Sequence, residues 1–168
     1  MRETIIVGGG IVGLVAKYKL EERGFTTIVI DRESSVGKLN SNQSIWTIIP
    51  PLCGDLQDKC IEAIDYYVSL CEKYKIPYRR LGIIADKPIG KEVSREELKN
   101  IEPDLNISDA KLYYYDKGLY VDGEKLLEKL KITKGEVIGF KKESNKITQL
   151  ELASGEKISV EGNIVFAT

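Results

Sequence analysis

The run Gly8-Gly9-Gly10-Ile11-Val12-Gly13 limits what this chain can fold into more than any other stretch. It carries the G-x-G-x-x-G spacing, with Gly8, Gly10 and Gly13 in the fixed positions. Such a turn is informative only where a strand leads into it and a helix leaves it. Both flanks fit. Glu3–Val7 is a β-branched apolar run that reads as a buried strand. A helix is expected from Ile11 to Arg23, with Leu14, Val15, Tyr18 and Leu20 apolar and Lys17, Lys19, Glu21 and Glu22 polar, closed by Gly24. Thr26–Ile30 is a second buried strand that ends at Asp31. The unit is β-α-β, and its two strands should be parallel.

Each part of this unit has a task in holding a dinucleotide. The first glycine allows the tight turn, the second lets backbone approach a pyrophosphate, and the third permits close helix–strand packing. The helix N-terminus offers unpaired N–H groups and a positive dipole end. Asp31 lies eighteen residues after Gly13, where an acid accepts hydrogen bonds from the adenosine ribose. An aspartate fits FAD or NAD and disfavours NADP, whose 2′-phosphate would meet a negative charge. The alternative is a glycine-rich turn without a ligand; motif, context and acid together favour the ligand.

Composition removes other function classes. The 168 residues carry 25 Lys+Arg against 26 Asp+Glu, so no broad basic field exists to draw in nucleic acid or an anionic membrane. The chain has no histidine, which excludes a His base, a Ser-His pair or a His-ligated metal within it; no metal site is expected. Cys53, Cys60 and Cys71 are odd in number and form no C-x-x-C pair, a usage that suits a reducing cytosol. Neither a signal peptide nor a membrane span is visible, so a cytoplasmic location is expected. Richness in Lys, Glu, Ile and Tyr is a bias seen in hyperthermophile proteins and also in low-GC genomes.

Beyond Asp31 the pattern departs from regular β-α-β repeats. Residues 34–54 are expected to be irregular, and a helix follows over Leu56–Tyr74 with Cys60, Ile61, Ile64, Tyr67, Val68 and Cys71 on its apolar face. Tyr78–Ala85 and Lys111–Tyr115 read as strands, Ser94-Arg95-Glu96-Glu97 as a capping box opening a short helix, and Gly123–Lys131 as another helix. Three short strands are expected over Glu136–Lys142, Lys146–Ala153 and Lys157–Val160, then a last apolar strand over Asn163–Thr168. This is a Rossmann core interrupted by an insertion, a layout that favours FAD over NAD.

Longer stretches make the resemblance specific. Thr4–Asp31, Cys71–Gly82, Leu98–Pro103 with Gly118–Gly123, and Gly162–Thr168 resemble the N-terminal part of the D-amino-acid-oxidase-like FAD-dependent oxidoreductases. Within them they look most like the branch of 2-hydroxyglutarate oxidase and glycerol-3-phosphate dehydrogenase. The resemblance implies an α/β fold: a Rossmann-type FAD-binding domain of the glutathione-reductase type with an inserted, partial antiparallel α+β substrate domain. It divides the chain into 1–76, the first part of the FAD domain; 77–122, the partial substrate domain; and 123–168, the return to the FAD domain. It implies non-covalent FAD contacts at Gly8, Gly10, Ile11, Val12 and Gly13, with Asp31 and Arg32 at the adenosine end. Asn40 and Ser41 would meet the pyrophosphate and isoalloxazine, Val137 would present its backbone to the adenine, and Ala167 and Thr168 would close the pocket.

The implied activity is oxidation of a small 2-hydroxy acid or glycerol 3-phosphate by hydride transfer to flavin. An NAD-binding dehydrogenase domain and a non-catalytic cofactor-binding subunit are the alternatives. Trp46-Thr47-Ile48-Ile49 stands where the branch often places a histidine, and no catalytic residue is nominated. The family pattern continues beyond Thr168, so a fragment, a partner-dependent subunit or a truncated product is expected, and with it an oligomer or a second chain.

Other residues read as structural. Cys60 and Cys71 are expected in the core, and Tyr113 and Tyr115 on one strand face with Tyr114 on the other. Arg79 and Arg80 read as solvated or ion-paired strand ends, with an anion clamp as the alternative.

Overall fold

The computed structural model describes residues 3–33, 40–106 and 110–168. They form two compact units, one from the residues up to Ser44 together with Gly123–Thr168, the other from Ile45–Asp122.

The first unit is built on β1 (Glu3–Val7), α1 (Ile11–Glu21) and β2 (Thr26–Asp31). β1 and β2 pair in parallel, Ile5 opposite Ile28 and Val7 opposite Ile30. β11 (Asn163–Phe166) adds in parallel on the other side of β1, and β7 (Thr133–Lys134) in parallel beside β2, giving the order β11-β1-β2-β7. A second, antiparallel sheet orders β10 (Lys157–Ser159), β9 (Lys146–Leu152) and β8 (Val137–Glu143).

A strand covered on both faces needs apolar side chains at every position, which is why β1 reads as a continuous run. Ile5, Val7 and Ile30 pack against Leu150 and Leu152 of β9, with Ile147, Ile158 and Ile164 around them. Leu14 and Tyr18 bury the inner side of α1. Full burial of side chains this size contributes roughly 1.5–3 kcal/mol each. The short helix α4 (Gly123–Leu127) buries Leu126 and Leu127 and stops well before Lys131, shorter than the sequence suggested.

The second unit holds α2 (Gln57–Tyr74) against an antiparallel sheet of β3 (Thr47–Ile48), β6 (Leu112–Val121) and β4 (Tyr78–Ala85), with β5 (Lys91–Val93) paired to β6. Register places Leu119 opposite Arg80 and Val121 opposite Tyr78. Arg80 reaches Asp65 of α2 at 3.6 Å, and the Tyr78 hydroxyl donates to Glu72 of α2 at 3.0 Å. Leu119 and Val121 therefore share the face that α2 covers, and both are buried. Residues 45–76 thus pack with this unit, not with the nucleotide-binding unit that 1–76 was expected to form. The reason is that α2 needs an apolar sheet face and finds it on β6. α2 closes with Lys75 in the left-handed region and the Ile76 N–H bonded to the Cys71 carbonyl at 2.8 Å, a Schellman-type end just before Pro77.

The cysteines correct the sequence reading. Cys71 is fully buried, as expected of a small core residue, and burial, then the charge of Glu72, pushes its thiol up to about 11. Cys60 is not a core thiol: it is half-exposed and bonded to Cys53. The pairing arises because the 3-10 segment Pro50–Leu56 turns directly into α2, which brings Cys53 beside the first turn of that helix.

α3 (Arg95–Ile101) opens with the expected capping box: the Glu97 N–H donates to Ser94 Oγ at 3.2 Å and the Ser94 N–H to Glu97 Oε2 at 2.8 Å. That backbone bond, then Lys91 at 2.9 Å, lowers the Glu97 carboxyl from 4.5 to about 2. A depressed acid stabilises the cap above its unfolded value and loses that contribution as pH falls through the folded one. The Ser94 amide resonance should therefore hold its position through pH 4.5 and move only as pH approaches 2. Movement centred at 4.5 would mean that the box does not form.

Candidate functional site

Ligands of open α/β sheets sit at the carboxyl ends of the strands. In the first unit those ends line a cavity of about 610 Å³. Val7 and the glycine turn form its floor, Ile30, Asp31, Arg32 and Glu33 one wall, Gly135–Val137 another, and Ala167 and Thr168 a third. A second hollow, of about 900 Å³, starts where the strands begin, at Glu3, Thr26 and Asn163, and runs along β11. The first is the candidate site, because the glycine turn's backbone donors and Asp31 converge there.

The turn is closed by backbone. The Gly8 N–H donates to the Ile30 carbonyl at 2.8 Å, and the Ala167 N–H to the Val7 carbonyl at 2.8 Å. Gly8 has φ +117°, and a Cβ there would strike the Ala167 carbonyl. A Cβ on Gly13 would strike the Gly8 carbonyl and lies 3.6 Å from Ile6. Glycine at 13 is what lets the first turn of α1 rest on the turn that precedes it.

Asp31 is fixed at both oxygens: Oδ2 accepts the Gly9 N–H at 2.6 Å, and Oδ1 accepts the Glu33 N–H at 2.8 Å. Its carboxylate is thus oriented before any ligand arrives, with lone pairs still free for hydroxyl donors. Ser41, from the 3-10 turn Asn40–Gln43, accepts the Ile11 N–H at 3.0 Å. The N–H groups of Gly10, Val12 and Gly13 bond to no described residue. Together they give the helix end the donor set an anion needs.

Val137 occupies an edge position. The Ala153 N–H donates to the Glu136 carbonyl at 2.8 Å, which makes Val137–Leu152 the non-hydrogen-bonded pair of the ladder. Its N–H and C=O therefore point away from β9, on the open edge of the three-stranded sheet. The Gly135 N–H donates to the Asp31 carbonyl at 2.8 Å and holds this edge beside β2.

The structure gathers Gly8, Gly10, Ile11, Val12, Asp31, Arg32, Ser41, Val137, Ala167 and Thr168 around one cavity. Gly13 stands just behind, as a packing residue. Arg32 is exposed and lies 3.9 Å from Glu33. Only the backbone of Asn40 is described. Glu33, Ser44, Gly135 and Glu136 also line the cavity and carried no sequence signal, because β7, which delivers the last two, is only two residues long.

The family model described as DAO, FAD dependent oxidoreductase, matches residues 3–168. Over 86 residues the chain is 28% identical to the mitochondrial L-2-hydroxyglutarate dehydrogenase of Arabidopsis thaliana, spanning 48% of this chain and 17% of that one. It is 33% identical over 86 residues to the L-2-hydroxyglutarate dehydrogenase of Indibacter alkaliphilus, spanning 48% and 22%. Its fold matches the crystal structure of L-proline dehydrogenase from P. horikoshii with a TM-score of 0.84 at 21% identity, over 99% of this chain and 52% of that one. The chain thus spans about half the length of that solved relative.

Replacing Gly13 with alanine should lower the denaturation midpoint by the equivalent of about 1–3 kcal/mol, the usual cost of overpacking. An unchanged midpoint would show that the turn and helix do not close as described.

Proposed function

The chain belongs to the FAD dependent oxidoreductase family, and from that premise we propose that it forms the cofactor-holding part of an enzyme oxidising a carbon–hydrogen bond beside a hydroxyl or amine in a small carboxylic acid. The observation that carries this reading is the convergence on one cavity of the glycine turn, the N–H groups of Gly10 and Val12, which bond to no described residue, and the pre-oriented Asp31. The residues present fit FAD. The N–H groups of Gly10 and Val12, with the Ser41 hydroxyl, would hold the pyrophosphate, with Gly13 packed behind them. Asp31 would accept the ribose hydroxyls, with Arg32 beside it. The outward backbone of Val137 would meet the adenine edge, and Ala167 and Thr168 would close the pyrophosphate side. FAD, when bound, supplies the acceptor for a hydride equivalent.

The chain's own part is binding and orientation, and no catalytic residue is assigned. Support for this substrate class comes from the sequence relatives, which are dehydrogenases named for L-2-hydroxyglutarate. A 2-hydroxy acid is the first choice because both sequence relatives are named for one.

The test is the absorbance spectrum of the desalted protein, followed by anaerobic addition of 2-hydroxyglutarate, with L-proline and glycerol 3-phosphate alongside. Flavin bands, bleached by 2-hydroxyglutarate first, are expected. Replacing Asp31 with alanine should weaken FAD binding about ten- to a hundredfold, the loss of hydrogen bonds to a charged acceptor. A colourless protein that takes up no FAD contradicts the cofactor reading. Bleaching by glycerol 3-phosphate alone moves the substrate class.

A further inference from the structure

Three features set the Cys53–Cys60 bond apart from a buried structural cross-link. Both cysteines are half-exposed, so a thiol in solution can reach the bond. They are seven residues apart, and a ring that small constrains the unfolded chain less than a long one does. The segment they close is weakly anchored: Leu52 and Leu56 are 70% and 65% exposed, and Gly54 breaks the 3-10 helix with φ 56° and ψ −131°. Pro50, which begins the segment, is buried, so the loosely held part is the stretch from Leu52 to Leu56.

We propose that Cys53–Cys60 is a thiol–disulfide exchange site, opened by a dithiol reductant and closed again by its disulfide form, which ties the Pro50–Leu56 segment to α2 only while closed. An external thiolate attacks Cys53 Sγ and forms a mixed disulfide; the Cys53–Cys60 bond breaks and Cys60 leaves as thiolate. Cys60 is the leaving group because it stands in the first turn of α2, where the positive end of the helix dipole favours a departing anion; Lys59 beside it is paired with Glu62. The reductant's second thiolate then attacks its own sulfur in the mixed disulfide and frees Cys53. Two electrons pass to the protein sulfurs, two protons end on Cys53 and Cys60, and the reductant leaves as a disulfide. Cys71 takes no part. It is buried and its thiol is held neutral, so it can neither attack nor reshuffle the pair.

The test uses the whole chain under native conditions, with iodoacetamide labelling read by peptide mass and trypsin cleavage read at Lys59, which lies inside the ring. In air-oxidised protein Cys53 and Cys60 should resist labelling. Dithiothreitol should open both without denaturant while Cys71 stays unlabelled, and cleavage after Lys59 should become several-fold faster. The double variant Cys53→Ser, Cys60→Ser should be cleaved at the faster rate with or without reductant. In Cys60→Ser, added glutathione disulfide should be attacked by the Cys53 thiolate, leaving a glutathione mixed disulfide on Cys53 and releasing one glutathione. A bond that opens only after denaturant is added, three free thiols after oxidation, or a cleavage rate unmoved by reduction would overturn the proposal.

Discussion

The contact of the first turn of α1 with the glycine turn before it decides the rest of the nucleotide-binding unit. There is no room for a Cβ between Gly13 and the Gly8 carbonyl, so the helix starts directly on the end of β1. That placement aims its first N–H groups into the cavity and brings Gly9 within 2.6 Å of Asp31. Because Asp31 is also the last residue of β2, one hydrogen bond ties both strands to the turn between them. The Gly135 and Ala167 amides then bind the flanking segments to the same strand ends. A site for a long, doubly charged ligand is thus made almost wholly from backbone, the part of the chain that is least free to reorganise.

How much of this could be read from the sequence depended on the length of each element. β1, α1 and β2 declare themselves because apolar periodicity, glycine spacing and a terminal acid agree over some thirty residues. The capping box at Ser94 was equally plain, being a local pattern with a local cause. β3 and β7 were invisible, since two residues have no periodicity, and yet β7 delivers Gly135 and Glu136 to the cavity. Val137 entered through family resemblance alone; the register of β8 against β9 supplies its physical reason. β6 runs on to Val121, far beyond Tyr115, because its neighbours β3 and β4 supply partners that no single-strand pattern reveals.

The cysteines show a different limit. Helical spacing put Cys60 and Cys71 on the apolar face of one helix, and for Cys71 that was sound. For Cys60 the spacing was blind to the 3-10 segment that folds back just before α2, so a partly exposed disulfide went unseen. The same fold-back draws residues 45–76 into the second unit, where α2 covers Leu119 and Val121. Both corrections have one origin: a short irregular segment sets where a long regular helix goes.

The central claim is that this backbone cradle is where FAD binds. Amide-resolved hydrogen exchange by NMR, with and without added FAD, tests it most directly. Exchange should slow at Gly10, Val12 and Val137, which line the cavity. FAD binding that leaves these three amides unchanged while protecting residues elsewhere would contradict the account.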